Sequence, residues 1–434
     1  DVMLRDEGVA ELLPACNTVI FDEAHQLPET ASLFFGENIS TSQLFDLARN
    51  SQLEAIVSAK DFAPLPLACD ALEKAARDLR LIFKKNEGRM TADATLDLPG
   101  WTDALATLSK QLIALTDLLE KQAERSEGLE NCWQRGQALS LQLRQWQDET
   151  AADKVRWLEI FHHAVVLNTT PLSIAEIFAK QISSHPRAWI FTSATLAVKQ
   201  NFAHYQAEMG LLDARTACWD SPFNYQEQAL LYVPQEMPEP NSQGYTEAVI
   251  QAALPLIEAS KGRAFLLFTS LKAMQRAYEI LQAEFDRKNL KYPLMIQGEG
   301  SRNELLSRFR EHGNAVLLGS QSFWEGVDVR GEALSLVVID KLPFAPPDDP
   351  VLAARIAQIT KQGRNAFMEY QLPRTVINLK QGAGRLIRDE QDRGVLMICD
   401  PRLIAKHYGK RIWQSLPPFK RTRDVNEAVA FFSQ

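Results

Sequence analysis

Two apolar strands that each end in polar residues constrain the fold of this chain most strongly. The first reads TVIFDEAH over residues 18–25, and the second reads AWIFTSAT over residues 188–195. Short apolar runs of this kind are typical of strands that are buried on both faces of a parallel sheet. Ligands of such sheets bind at the carboxyl ends of the strands. The polar residues of both runs are therefore predicted to lie at a ligand-binding edge.

A regular apolar stripe in the region between these strands predicts a helical insertion. The stripe advances in alternating steps of four and three, which places its members along one side of a helix. Its members are Trp101, Leu105, Leu108, Leu112, Leu115 and Leu119. Partner helices are predicted around Leu72, Ala75, Leu79 and Ile82 and around Leu139, Leu143 and Trp146. We interpret all of these residues as core packing.

Strands alternate with helical stretches from about residue 225 to the end. The strand-like segments are LLYV at Leu230, AFLLF at Ala264, PLMI at Pro293, AVLLG at Ala315, LVVI at Leu336 and VLMIC at Val395. This alternation predicts a second doubly wound α/β domain. We therefore divide the chain into part of a first α/β domain (1–39), a helical insertion (40–153), the rest of the first domain (154–224) and a second domain (225–434).

Bulk properties narrow the class of protein. A chain of 434 residues with 46% hydrophobic and 24% charged residues is typical of a multidomain globular protein, and no apolar run reaches membrane-spanning length. A net charge of -8 means that any contact with DNA must come from local basic clusters. The five scattered cysteines predict reduced thiols in a cytoplasmic protein. The chain begins without a Met, so we expect it to be a fragment.

The acidic pair in DEAH, residues 22–25, has the chemistry of nucleotide hydrolysis. At a strand end, Asp22 can hold Mg²⁺ while Glu23 polarises the attacking water. Phosphoryl transfer needs this division, because the metal neutralises phosphate charge and a separate base aligns the water. The alternative is a solvated acidic turn.

Hydroxyl residues of TSAT, residues 192–195, follow the second strand. They can bind the acidic turn of a neighbouring strand and respond to a bound nucleotide. The alternative is a cap that opens a helix at Leu196.

A basic motif near the carboxyl terminus, QGAGRLIR, covers residues 381–388. Arg385 and Arg388 are three residues apart, so on a helix they would share one face. Two guanidinium groups behind two glycines suit the γ-phosphate of a nucleotide. The alternative is an exposed basic helix face.

These motifs in this order resemble those of superfamily 2 DNA helicases. DEAH, TSATL, Phe268-Thr269-Ser270, GSQSFWEGVDVRG (from Gly319) and QGAGRLIR are similar to motifs II to VI, and SFWEGVD and LPFAPPDDPV resemble the XPD/DinG branch. The resemblance implies an α/β fold of two RecA-like parallel-sheet motor domains, the first incomplete, with a mainly helical arch insertion. It also implies ATP-driven 5′–3′ movement on single-stranded DNA, in DNA repair or at replication forks.

Carried over residue by residue, the resemblance implies three sets of site residues. Asp22 would bind Mg²⁺, and Glu23, Arg385 and Arg388 would be catalytic. Further nucleotide contacts would come from His25, Gln381, Gly384 and Asp328. Glu325 and Gly326 belong to the same motif V as Asp328. Contacts to DNA phosphates would come from Ser270 and Ser322.

One departure from the family pattern concerns the phosphate-binding loop. No segment matches G-x-x-x-x-G-K-[ST], the loop that cradles nucleotide phosphates. The resemblance places that loop, and the four cysteines of a [4Fe–4S] cluster, upstream of DEAH in the full-length protein. Two hypotheses follow: a helicase motor of which these 434 residues alone are inactive, or a non-hydrolysing DNA- or partner-binding module.

A basic turn and an apolar stripe end the chain. Lys420, Arg421 and Arg423 precede Val425, Ala428, Val429 and Phe432, which have helical spacing. This stripe is either a last helix packed on its own domain or a docking site for a partner. The resemblance offers one candidate partner besides DNA, the chi subunit of the replicative polymerase's clamp loader.

Overall fold

The chain divides into two compact units. A computed structural model describes residues 16–84, 86–147, 153–184, 187–320, 323 and 333–433. The first unit comprises the described residues up to Phe191 together with Gln206–Leu212 and Ala345–Ala366. The second comprises Thr192–Tyr205, Asp213–Phe344 and the described residues from Phe367 onward.

The strands are short and belong to three sheets. They are β1 (Thr18–Phe21), β2 (Glu37–Ser40), β3 (Gly88–Thr91), β4 (Lys154–Ile160), β5 (Val165–Pro171), β6 (Ala188–Phe191), β7 (Ala229–Tyr232), β8 (Ala264–Leu267), β9 (Leu294–Ile296), β10 (Val316–Gly319), β11 (Leu336–Ile339), β12 (Gly394–Ile398) and β13 (Lys420–Thr422).

The helices vary from one turn to more than five. They are α1 (Leu27–Phe34), α2 (Thr41–Ser58), α3 (Pro64–Leu81), α4 (Ala92–Thr95), α5 (Trp101–Glu120), α6 (Glu127–Gln147), α7 (Ala175–Ser184), α8 (Ala203–Met209), α9 (Tyr225–Gln228), α10 (Tyr245–Ala259), α11 (Leu271–Lys288), α12 (Arg302–His312), α13 (Pro350–Lys361), α14 (Leu372–Ala383), α15 (Arg402–Ala405), α16 (Gly409–Trp413) and α17 (Val425–Ala430). Within the described ranges, no helix combines the length and apolarity that crossing a membrane requires.

The strands that precede DEAH and TSAT pair in parallel. β1 and β6 form a two-stranded sheet in which Phe21 lies opposite Phe191. These two rings stack at 5.3 Å, and Phe178 of α7 packs against Phe191. The opposite face is open, since Ile20 is 63% exposed and Ile190 is 42% exposed. The predicted parallel pairing is confirmed, and the apolar face that carries Ile20 and Ile190 is exposed.

The predicted helical stripe is the core of the insertion. All six residues of the α5 stripe are at most 8% exposed. α5 packs against α3 and α6, and buried residues of α2 belong to the same apolar cluster. The spacing of the apolar residues predicted the buried side of α5 correctly, because a helix buries the side on which its apolar residues recur.

The structure contains an antiparallel sheet beside these helices that the sequence analysis did not predict. Its order is β2-β5-β4-β3, and β4 and β5 form a hairpin in which Ile160 pairs with Val165. β2 and β3 have four residues each and come from distant parts of the chain. Such short strands carry too little alternation to be recognised by period alone.

A late segment of the chain returns to the first unit. Arg89 on β3 forms ion pairs with Glu159 (3.0 Å) and with Asp349 (3.1 Å), the residue that caps α13. The buried guanidinium of Arg355 on α13 donates to the hydroxyl of Ser32 on α1 at 2.8 Å. These long-range polar contacts leave no local sequence signal, so the sequence analysis did not predict this excursion.

The second unit is built on a seven-stranded, wholly parallel sheet. Its order is β13-β7-β12-β11-β8-β10-β9. Alternate residues enter two different cores: Phe265 and Leu267 belong to the core that contains α12 and α14, whereas Ala264 and Leu266 belong to the core that contains α10 and α11. All six predicted strand segments of this region are confirmed, and both faces of the central strands are buried.

The last helix packs on its own unit. Ala428 and Phe431 are buried in the core beside α10, and Val425, Val429 and Phe432 pack partly against it. The guanidinium of Arg393 lies 4.4 Å from the centre of the Phe431 ring. The structure therefore agrees with the interpretation of this stripe as core packing.

The α5 core offers a matched pair of neighbouring residues for a stability test. Leu112 is fully buried, whereas Ile113 beside it is 41% exposed. Leu112→Ala should lower the free energy of unfolding of the first unit by about 2–5 kcal/mol, because it removes buried methyl groups and leaves a cavity. Ile113→Ala should cost less than half as much. Guanidinium unfolding of both variants checks this, and equal effects would contradict the assigned side of the helix.

Candidate functional site

The DEAH segment leaves its strand at the carboxyl edge of the two-stranded sheet. β1 and β6 end at paired residues, and Asp22 follows β1 directly. The side chain of Asp22 accepts a hydrogen bond from the backbone N–H of Glu23 at 2.9 Å. Asp22 is an exposed residue at this edge.

Glu23 adopts a backbone conformation that is unusual for its residue type. Its φ of 50° and ψ of 39° are left-handed, which costs a residue other than glycine or asparagine roughly 1 kcal/mol or more. The turn is closed by a hydrogen bond from the N–H of Gln26 to the carbonyl of Glu23 at 3.0 Å. Residues held in such conformations cluster at active sites.

His25 orients the Glu23 carboxylate. Its Nδ1 lies 3.2 Å from Oε2 of Glu23, and the imidazole is almost completely buried while the carboxylate is 56% exposed. A buried ring that holds an exposed carboxylate fixes the direction of that carboxylate. The arrangement suits a base that must align a water molecule.

Thr195 of the TSAT segment is tied to α14 in the second unit. The side-chain amide of Gln381 donates to the hydroxyl of Thr195 at 2.8 Å, and both residues are buried. The ammonium group of neighbouring Lys380 donates to the carbonyl of Ala197 at 3.3 Å. The segment turns after Thr195, and no helix begins at Leu196. TSAT and QGAGRLIR are therefore physically joined.

The two arginines of QGAGRLIR do not lie on a helix. α14 ends at Ala383, and the chain continues from Gly384 as a turn that includes Arg385, so the predicted shared helical face is wrong. Glycine on both sides of Ala383 disfavours further helix. Arg385 is buried, whereas Arg388 is half-buried.

A buried carboxylate shapes the turn around Arg388. Oδ2 of Asp392 accepts from the N–H of Arg388 at 2.7 Å and from that of Asp389 at 2.8 Å. The backbone that follows α14 is therefore fixed by an acid rather than by helical hydrogen bonds.

Ser270 is a helix cap as well as a candidate for DNA contact. Its hydroxyl oxygen accepts from the N–H of Ala273 at 3.1 Å and thereby caps α11. The hydroxyl can still donate to a phosphate oxygen. The other predicted residues of this class and of motif V, Ser322, Glu325, Gly326 and Asp328, lie outside the described residues.

Sequence reasoning missed a buried polar network at the carboxyl ends of the central strands. Asp340 follows β11 and is 2% exposed; its carboxylate accepts from the backbone N–H groups of Thr269 (3.1 Å) and Lys341 (2.7 Å). Asp400 follows Cys399 after β12, and its carboxylate accepts from the Arg402 guanidinium at 2.6 Å. Both acids follow apolar runs, LVVID and LMICD, as Asp22 does. That signal was present in the sequence.

Tyr245 joins the two strand ends of this network. Its hydroxyl donates to the carbonyl of Asp340 at 2.7 Å and also lies 3.3 Å from that of Cys399. Burial raises the pKa of the Tyr245 hydroxyl, so it remains a donor. Burial also raises the pKa of the Asp340 carboxyl to about 7, an effect that Lys341 and the two N–H donors only partly offset.

The described cysteines do not fit an iron–sulfur cluster. Such a cluster needs four thiolates. Cys69, Cys132 and Cys399 are buried and Cys16 and Cys218 are exposed, and within the part of the chain that the structure describes no three metal-binding side chains converge. Asp22 and Glu23 suit Mg²⁺ better, because that ion commonly binds one or two carboxylates together with substrate phosphates.

Known proteins resemble the chain along its whole length. The family model of the helicase C-terminal domain matches residues 253–419. The ATP-dependent DNA helicase YoaA of Escherichia coli is 40% identical over 433 residues, which cover 100% of this chain and 67% of that protein. YoaA of Haemophilus influenzae is 39% identical over 99% of this chain and 67% of its own length. The ATP-dependent helicase DinG of Mycobacterium tuberculosis is 37% identical over 61% of this chain and 40% of its own length.

Solved structures agree on the fold. An XPD helicase superposes with a TM-score of 0.55 at 16% identity, covering 93% of this chain and 68% of the other. XPD in its apo form gives the same TM-score and covers 96% of this chain and 79% of the other. The predicted α/β fold of RecA-like parallel sheets with a helical insertion is therefore confirmed.

Asp340 should make stability depend on pH in a defined direction. Its pKa is higher in the folded state, about 7, than the usual 3.8, so the folded chain binds more protons between these values. The free energy of unfolding should therefore fall as pH rises from about 4 to 7, by a total on the order of 4 kcal/mol from this group. Asp340→Asn should remove that component. Urea unfolding of both proteins at several pH values checks this; parallel pH profiles would contradict it.

Proposed function

The chain belongs to the YoaA family of ATP-dependent DNA helicases, and from this premise we propose that it converts ATP hydrolysis into 5′–3′ movement on single-stranded DNA and unwinding of duplexes. The setting that we propose is DNA repair or maintenance of replication forks. The observation that carries the proposal is the DEAH turn, where buried His25 aims the exposed carboxylate of Glu23 beside Asp22.

Within this turn the two acids have different tasks. Asp22 would hold Mg²⁺, which neutralises charge on the β- and γ-phosphates of ATP. Glu23 would accept a hydrogen bond from the attacking water and align it with the γ-phosphate. The left-handed backbone of Glu23 supports this role, because residues held in such conformations cluster at active sites.

The second unit would supply the remaining nucleotide contacts. We propose that Arg385 and Arg388 stabilise charge on the transferred γ-phosphate, and that Gln381, Gly384 and Asp328 complete the nucleotide site. Gln381 also binds Thr195, so a change at the nucleotide could be transmitted to the TSAT segment through this hydrogen bond. The domain assignment remains our proposal: motor residues at 1–39, 154–224 and 225–434, and an arch at 40–153.

DNA would contact the second unit at strand ends. We propose Ser270 and Ser322 as donors to DNA phosphates, together with backbone N–H groups at the start of α11. A phosphate contact of this kind positions DNA without reading its sequence. The clamp-loader chi subunit stays a hypothetical partner; the apolar side of α17 is an unsuitable docking surface for it, because that side is buried.

The first test removes the base while retaining its shape. In the full-length protein, Glu23→Gln should lower DNA-stimulated ATP hydrolysis by roughly 10²–10⁴-fold, because an amide is a poor proton acceptor. Binding of ATP should remain. Glu120→Gln, an equally conservative change at the exposed end of α5, is the control and should have full activity. Unchanged steady-state ATP hydrolysis in Glu23→Gln would contradict the assignment of Glu23 as the residue that activates water.

The second test uses the 434 residues by themselves. Without a glycine-rich loop and its lysine, the β- and γ-phosphates are not fixed in line with water, and positioning supplies most of phosphoryl-transfer catalysis. We expect negligible ATP hydrolysis and no bound iron, with binding of single-stranded DNA retained. Robust hydrolysis that disappears with Glu23→Gln would show that these residues contain a phosphate-binding element. Stoichiometric iron would contradict our interpretation of the cysteines.

A further inference from the structure

The turn formed by Phe268, Thr269 and Ser270 connects β8 to α11. It ends in the Ser270 cap, so its backbone sets where the hydroxyl of Ser270 and the first N–H groups of α11 lie. A turn that is already held in one conformation places those groups for a DNA contact without the cost of ordering them on binding.

One side of the turn is held by the sheet. The N–H of Phe268 donates to the carbonyl of Gly319 at 2.9 Å, which continues the pairing of β8 with β10 by one residue. Thr269 lies beyond this ladder and is bound by Asp340 instead. Oδ1 of Asp340 accepts from the N–H of Thr269 at 3.1 Å, and Oδ2 lies 3.4 Å from the Thr269 hydroxyl.

Asp340 is itself fixed from several directions. Its N–H donates to the carbonyl of Leu267 at 3.0 Å, and its own carbonyl accepts from the Tyr245 hydroxyl. Its Oδ1 also accepts from the N–H of Lys341. With 2% exposure, the carboxylate makes these contacts away from water, where a hydrogen bond is difficult to replace.

We propose that Asp340 is a positioning residue for DNA binding, which fixes the turn 268–270 through the hydrogen bonds that it accepts from Thr269. The inference rests on the proposed DNA contact of Ser270. Asp340 touches no DNA; it acts through Thr269 on the residue that follows.

The geometry allows the position of Oδ1 of Asp340 to be tested separately from the charge of its carboxylate. Both backbone donors, Thr269 and Lys341, converge on Oδ1. An asparagine with its oxygen at that place keeps both bonds, and its amide would donate to the Thr269 hydroxyl where Oδ2 now lies. Alanine keeps neither bond, and the hydroxyl of serine is too short to reach Thr269. Asp340→Asn should therefore preserve the turn, whereas Asp340→Ala and Asp340→Ser should release it.

The experiment compares these three variants in the 434-residue chain at one pH and one salt concentration. Fluorescence anisotropy with a labelled oligothymidine measures DNA affinity, and hydrogen exchange of a peptide that covers residues 265–275 measures the turn. We expect Asp340→Asn to bind within about twofold of wild type. Asp340→Ala and Asp340→Ser should bind about tenfold more weakly, the effect of one lost buried hydrogen bond, with faster exchange in the turn. Asp286→Asn, on the exposed side of α11, controls for the change of net charge.

Every other outcome contradicts either the positioning role of Asp340 or the proposed DNA contact of Ser270. Wild-type affinity in the alanine and serine variants, or equal weakening in the asparagine variant, would overturn the positioning role. If wild type itself does not bind single-stranded DNA, the proposed DNA contact fails; unchanged exchange in the serine variant would then overturn the inference about Asp340 separately. Thermal unfolding verifies that each variant is folded. If Asp340→Ala does not fold, the comparison of Asp340→Ser with Asp340→Asn provides the test.

Discussion

The common direction of seven hydrogen-bonded strands is the constraint on which the second unit depends. Because every strand runs parallel, their carboxyl ends meet at one edge, and the chain must leave that edge in loops with polar groups to satisfy. Thr269, Asp340 and Asp400 all lie there, each within two residues of a strand end. The apolar side chains on both faces of the sheet are buried in the two cores. The polar groups are thereby concentrated in the loops at this edge.

Apolar periodicity predicted the parts of the fold that depend on burial. The apolar residues from Trp101 to Leu119 predicted which side of α5 is buried, and runs such as AFLLF predicted strands of the second sheet. Both predictions succeeded because burial of one or both sides of an element produces a local pattern of apolar residues. The four-residue strands β2 and β3 were missed since each is stabilised by partners far along the chain. The return of α13 to the first unit includes contacts of Arg89 and Arg355, whose acceptors cannot be predicted from neighbouring residues.

Candidate site residues could be proposed from the sequence where a motif fixes them locally. Asp22 and Glu23 were proposed from a strand that is followed by acidic residues, whereas the left-handed backbone of Glu23 and its contact with His25 are visible only in the folded turn. The arginine spacing suggested a helix, but Gly382 and Gly384 flank its end, and Asp392 holds the following turn instead. Spacing predicts a shared face only while the helix continues.

The two buried acids of the second unit differ in how their charge is compensated. Asp400 receives a bidentate guanidinium from Arg402, so a full positive charge accompanies it into the interior. Asp340 receives two backbone N–H groups, which offer partial charges, and burial raises its pKa to about 7. A permanently paired acid suits a structural tie between β12 and the loop after β11, to which it also binds through Leu342. An acid held by neutral donors keeps its geometry when it is replaced by an amide, because those donors need an oxygen rather than a charge. The sheet edge thus contains one contact that depends on charge and another, beside the turn 268–270, that depends on the position of an oxygen atom.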